Sequence, residues 1–175
     1  RALDSLRQLD ATVTSALRLA RSGQVTMAPV DLGVVLERAI RTTEPSFRER
    51  QATVAPLRAF APLHVMGDES ALQQLFVNLM LNASQAMSAS GCAQVLVERR
   101  DGLVTIEIHD DGGGISVDEL AALGQPFRTS KPDGTGLGLP IAKRIAEAHR
   151  GTLTVSSVTG VGTVARVHLP VANVG

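Results

Sequence analysis

Tryptophan and tyrosine are absent from this chain of 175 residues, and four phenylalanines are its only aromatic side chains besides histidine. A core must therefore be assembled from Leu, Val, Ile and Ala, and a hydrophobic content of 44% suffices for one. Cysteine occurs once, at Cys92, which excludes an internal disulfide and any site built from several thiolates. Cys92 reads as a small apolar or surface residue and fits a reducing compartment. Net charge is lacking too. Seventeen basic and seventeen acidic residues cancel, which argues against a nucleic-acid surface and against an acidic tail. No apolar run approaches the length of a membrane span, and no signal peptide is visible. The length suits one domain with a short additional piece. The chain opens on Arg1 rather than Met, inside a helical pattern, so a fragment of something longer is expected.

What is present begins with a heptad seam. Ala2, Leu6, Leu9, Val13, Ala16 and Ala20 alternate steps of four and three, with Arg1, Arg7, Arg18 and Arg21 off the seam. A partner helix or the chain's own domain could cover so narrow a stripe. Ser22-Gly23 stops this helix and Pro29 marks a junction, giving a division into 1–28 and 29–175. Asp31 is the expected N-cap of a helix over 32–49, whose stripe is Leu32, Val35, Leu36, Ala39 and Ile40. Short extended pieces are expected at 52–56 and 63–66. A helix over 69–87, capped by Asp68, comes next. Strands at 93–99 and 103–109 meet at Asp101-Gly102, a hairpin signal. A short helix at 116–123, a glycine- and proline-rich stretch at 124–138, a helix at 137–149 closed by Gly151, and strands at 152–157 and 163–169 complete the chain. Hairpins alternating with helices favour an α+β two-layer sandwich. Its sheet is mixed and mostly antiparallel, three main helices lie on one face, and the heptad helix precedes them.

Three stretches carry chemistry. The first, Ile106 to Ile115, runs from a strand into Asp110 and Asp111 and then three glycines. Strand, acid and glycine turn together deliver a carboxylate to a ligand while letting backbone approach it. The second is a polar stripe, Gln74, Asn78, Asn82 and Gln85, on an otherwise apolar helix. Asparagine is a poor mid-helix residue, and a solvated face would ordinarily carry Lys and Glu. Amide oxygens suit a hard cation such as Mg²⁺ that shares phosphate oxygens with few protein ligands. In the third, Gly134, Gly136 and Gly138 lead into a helix, where unpaired N–H groups and the helix dipole favour an anion. No Gly-Lys-Ser/Thr follows, so this is not a P-loop, and the glycine spacing does not fit a dinucleotide fingerprint.

Taken in order, Asn78-Leu-Met-Leu-Asn82-Ala, Asp110-Asp-Gly112-Gly-Gly114-Ile, Pro126-Phe127-Arg-Thr-Ser-Lys131 and Gly134-Thr-Gly-Leu-Gly138-Leu resemble four motifs of sensor histidine kinases. These are the N box, first glycine box, F box and second glycine box. Their ATP-binding domain has the Bergerat fold and belongs to the superfamily that includes gyrase, Hsp90 and MutL. The resemblance covers about residues 31–170. It implies ATP and Mg²⁺ as cofactors. Asp110 would accept from the adenine amino group, with Gly112 and Gly114 letting the base lie against backbone. Asn82 would ligate Mg²⁺, and Asn78 would stand near the same phosphates. Lys131 would reach the terminal phosphates, although it also reads as a solvated loop lysine. Gly134, Thr135, Gly136, Leu137 and Gly138 would contribute the phosphate-binding loop, and 115–133 a lid.

Hydrolases of the superfamily place a water-activating Glu where this chain has Asn78, and an amide is no general base. That favours the kinases. A departure stands at Gln85, where many kinases have a basic residue. Such a kinase needs an acceptor histidine on an upstream helical hairpin, yet His64, His109, His149 and His168 all fall in or beside elements of the ATP-binding part. Residues 1–22 then look like the second helix of that hairpin, with the first missing. The expected reaction passes the γ-phosphoryl group to a histidine and then to a response-regulator aspartate. Partners would be a receiver domain and the chain's own hairpin in a homodimeric, cytoplasmic kinase whose parent could be membrane-anchored. An ATP hydrolase and a non-enzymatic nucleotide module are the alternatives.

Overall fold

The structure is a computed structural model that describes residues 27–58, 61–122 and 136–172. The heptad helix over 1–22, the Pro126–Lys131 motif, Lys131, Gly134 and Thr135 lie outside the described residues.

Strand β1 (Ala28–Asp31) leads into helix α1 (Leu32–Glu49). Strands β2 (Thr53–Val54) and β3 (His64–Gly67) precede helix α2 (Glu69–Ala86). The hairpin β4 (Cys92–Arg100) and β5 (Leu103–Asp110) follows, then the short helix α3 (Val117–Ala122). Helix α4 (Gly138–Ala148) and the hairpin β6 (Thr152–Val158) and β7 (Gly162–Pro170) end the described chain.

The main sheet has the order β2-β4-β5-β7-β6. Only β2 and β4 run parallel; the other pairs are antiparallel. The expectation of one sheet needs extending, because β1 and β3 form a separate antiparallel pair, joined to the end of β7 by a single bridge between Val65 and Val171. Pro29 lies within β1. A two-stranded ribbon is all edge, where a residue without an N–H is tolerated.

Alternation along the strands decides which face is buried. Ala93 and Val95 on β4, Val104, Ile106 and Ile108 on β5, and Val167 and Leu169 on β7 are all buried, while Gln94, Leu96 and Glu98 between them are exposed. Helices α1, α2 and α4 cover the buried face. Leu72, Leu75, Phe76 and Leu79 of α2 and Ile145 and Ala146 of α4 reach essentially zero exposure there. α2 is central, packing on α1, on α4 and on β5. Two of these helices start on aspartate, as expected. Asp31 Oδ1 accepts from the N–H of Gly33 at 2.8 Å, and Asp68 Oδ1 accepts from the N–H of Ala71 at 2.9 Å.

Candidate nucleotide site

β5 ends on two neighbouring carboxylates with different surroundings. Asp111 turns back to β4, where both of its oxygens accept from the N–H of Cys92, at 2.9 and 3.0 Å. Asp111 thus closes the start of β4. Asp110 lies across from Thr163 on β7 and Ala93 on β4. Successive residues of a strand point to opposite faces, so Asp110 shares the helix-covered face with Ile108 and Ala93. Its Oδ1 accepts from the N–H of Gly112 at 3.1 Å.

The glycines after Asp110 are required by what surrounds them. A Cβ on Gly112 would stand 2.5 Å from the carbonyl oxygen of Ala86, and one on Gly114 (φ +70°) would stand 2.2 Å from that of Val158. Gly113 donates to the Ala86 carbonyl at 3.2 Å and accepts from the N–H of Gly160 at 2.8 Å. The turn is therefore wedged between the last residue of α2 and the β6–β7 hairpin. Asn82 lies one turn before Ala86 on the same helix face, roughly 6 Å back along the axis. Asp110 and Asn82 are so brought to one end of the molecule.

The start of α4 meets the same helix. Gly136 adopts φ +66°, and Leu137 is the N-cap. Leucine offers no side-chain acceptor, and the first turn of α4 holds no acid. A Cβ on Gly138 would lie 3.8 Å from Asn82 Oδ1 and 4.0 Å from Asn78 Cβ, an ordinary contact distance. A methyl group there would meet no backbone, yet it would fill the space between the helix start and the two asparagines. The missing side chain thus leaves room beside two amides and a positive helix end, which fits a phosphate group and a hard cation.

Asn78 is not on a solvated face. It is 7% exposed, its Nδ2 donates to the Gly138 carbonyl at 3.2 Å, and its Oδ1 accepts from Gln74 Nε2 at 2.8 Å. Thr163 is a residue that the sequence reading passed over. It is 8% exposed beside Asp110, and its hydroxyl lies 3.0 Å from Ser157 Oγ. Ser157 in turn donates to the Gly162 carbonyl and accepts from the N–H of Ile115, both at 2.8 Å. Nothing in the local sequence marks Thr163; only the strand register places it opposite Asp110.

α2 is also anchored at its other end. The N–H of Asp68 donates to His149 Nε2 at 3.0 Å, and His149 Nδ1 lies 2.7 Å from the Ile145 carbonyl. His149 is 3% exposed. A carbonyl can only accept, so Nδ1 carries the proton and the ring is the neutral tautomer when Nε2 accepts. Burial pushes the Asp68 carboxyl up, but hydrogen bonds from the Ser70 hydroxyl and the Ala71 N–H outweigh it and hold the group below its ordinary value.

Other features of the sheet belong to its outward face. Hydrogen bonds from His109 first and Arg166 second hold Glu107 below the ordinary carboxylate range. A cavity of about 450 Å³ lies at this end of the sheet, walled by the outward-facing Gln94, His109, Ser156 and Val164 and reached at its edge by Asp110, Asp111 and Thr163; neither Asn78 nor Asn82 lines it. Among the described residues, no group of three or more His, Cys, Asp or Glu could hold a metal ion by itself.

Residues 67–173 match the family model of histidine kinase-, DNA gyrase B- and HSP90-like ATPases, and the chain belongs to that family, whose domains bind ATP. The sensor histidine kinase ZraS of Klebsiella oxytoca is 32% identical over 165 residues, covering 94% of this chain and 36% of the relative. The mycobacterial sensor histidine kinase MprB superposes with a TM-score of 0.70 at 29% identity, covering 83% of this chain and 98% of that one. Full-length ShkA, in a crystal structure with AMPPNP, superposes with a TM-score of 0.80 at 26% identity, covering 94% of this chain and 36% of that one. The chain spans little more than a third of the length of the curated relatives it matches. No helix among the described residues is long and apolar enough to cross a membrane.

Proposed function

We propose that this chain is the ATP-binding catalytic part of a two-component sensor histidine kinase. In this reading Asp110 accepts from the adenine amino group, and the backbone of Gly112 and Gly114 lies against the base. The N–H groups around Gly136, Leu137 and Gly138 hold the phosphates, joined by Gly134, Thr135 and Lys131 from outside the described residues. Asn82 offers its amide oxygen to Mg²⁺. That ion, when bound, neutralises phosphate charge and shares the phosphate oxygens. What the chain's own residues contribute is position and fixed dipoles, which is most of what phosphoryl transfer needs. The observation that carries the reading is the meeting of α2, the glycine turn after Asp110 and the start of α4 around Asn82. Asn78 supports transfer over hydrolysis, because its amide stands where a hydrolase needs a base.

The parent protein would pass the γ-phosphoryl group to a histidine on its helical hairpin and then to an aspartate of a receiver domain, acting as a cytoplasmic homodimeric kinase. Residues 1–28 would belong to that hairpin and its linker, and 29–175 to the ATP-binding unit. Calorimetric titration with a non-hydrolysable ATP analogue and Mg²⁺ tests the site. Binding heat is expected for the chain, and Asp110→Asn is expected to abolish it. Unchanged heat in that variant overturns the assignment of the base pocket. Acid-labile phosphohistidine should form on an intact hairpin supplied in trans and not on this chain. Brisk multiple-turnover phosphate release would point to a hydrolase instead.

A further inference from the structure

We infer that Gln74 is a positioning residue for the phosphate end of the site: it fixes which way the Asn78 amide faces, and through it the first turn of α4. This rests on the ATP reading above and concerns a residue that touches neither base nor phosphate in it. The carbonyl of Gly138 can only accept. The Asn78 atom 3.2 Å from that carbonyl must therefore be Nδ2. Its other atom, Oδ1, then faces Gln74 at 2.8 Å and needs a donor, which only the amide nitrogen of Gln74 supplies. The two hydrogen bonds form a chain with a single direction, from Gln74 to Asn78 to Gly138. Gln74 and Asn78 are one helical turn apart on α2, so the first link is local and pre-formed. The second crosses from α2 to α4.

Two consequences follow for the site. The Asn78 oxygen faces Gln74, so Asn78 serves the site as the tether to Gly138, while Asn82, one turn further along, keeps the metal role proposed above. The start of α4 is also held at a set distance from Asn82, because the same asparagine row that carries Asn82 carries the tether to Gly138. Asn78 is buried, so solvent is poorly placed to replace the bond it would lose. Losing the direction of the chain should therefore displace the phosphate loop without touching the base pocket.

Gln74→Glu tests this with little change of shape. A carboxylate cannot donate, so it turns the Asn78 nitrogen toward itself and leaves two oxygens facing each other at Gly138. Gln74→Met removes the donor without adding charge. Each chain is titrated with a Mg²⁺-bound non-hydrolysable ATP analogue by calorimetry and with adenosine by chemical-shift perturbation. Gln74→Glu should weaken the analogue by at least about tenfold and Gln74→Met by roughly threefold to tenfold, the worth of one or two hydrogen bonds. Adenosine affinity should stay within about twofold in both, since the base pocket keeps its residues. Nucleotide affinity unchanged in both variants overturns the proposal. So does an equal loss for nucleotide and adenosine, the mark of a general packing defect. If Gln74→Glu does not fold, Gln74→Met decides alone. A wild-type chain that binds adenosine and analogue equally weakly refutes the phosphate site itself, an outcome visible before any variant is made.

Discussion

Helices α2 and α4 lie side by side yet begin in opposite ways. α2 starts on Asp68, whose carboxylate accepts from the Ser70 hydroxyl and the Ala71 N–H, while the Asp68 N–H is taken by His149. Glu69 adds an acid to its first turn. α4 starts on Leu137 with glycines on both sides and no acid in its first turn. A helix start exposes orphan N–H groups and positive potential whatever its sequence. In α2 the chain answers that potential with its own carboxylates, so the end is structural. In α4 neither the N-cap side chain nor the first turn supplies such a carboxylate, and the asparagines of α2 lie beside Gly138. The same local physics thus yields a joint in one place and an anion site in the other.

The sharpest way to break the contrast is to give α4 what α2 has. Leu137→Asp would place a carboxylate against bound phosphate, and two charges about 5 Å apart at an effective dielectric of 20 repel by roughly 3 kcal/mol. Affinity for the Mg²⁺-bound ATP analogue should fall by about a hundredfold in a calorimetric titration. Disturbing the joint instead should affect stability. Gly67→Ala puts a Cβ 2.5 Å from His149 Cδ2 and 2.8 Å from Leu72 Cδ1. Overpacking of this kind costs about 1–3 kcal/mol, read from urea denaturation. Asp68→Ala removes the cap and should cost about 1 kcal/mol. The smallest effect is the pH dependence of that last difference. The folded-state pKa of Asp68 lies below its ordinary 3.8, so its contribution is complete above that value and disappears as pH falls through the lower folded one. The gap between wild type and Asp68→Ala should be constant from neutral pH down to about 4 and close below it, followed by denaturation midpoints.

Much of the frame was legible from patterns of three, four and two. The helix expected over 32–49 is Leu32–Glu49, and both aspartate caps bond as expected. The strand β1 was not legible. Its four residues pair with β3 more than thirty positions away, and no local period announces such a pairing. Within the site, Asp110 and Asp111 are chemically the same in sequence, and only strand register sends one toward the helices and the other to Cys92. The polar stripe of α2 was legible as unusual. That Asn78 is buried and spent on Gln74 and Gly138 required α4 to be in place.

The order of residues by itself determined the helices, their caps, the hairpins and the glycine turns, because these depend on neighbours within a few positions. Tertiary structure decided which carboxylate, which asparagine and which helix start share one space. Those choices are made by groups that meet across 19 to 81 residues of chain, as Cys92 meets Asp111 and Asp68 meets His149. Contacts at such separations arise from how the buried faces pack, and packing is a property of the whole core rather than of any segment.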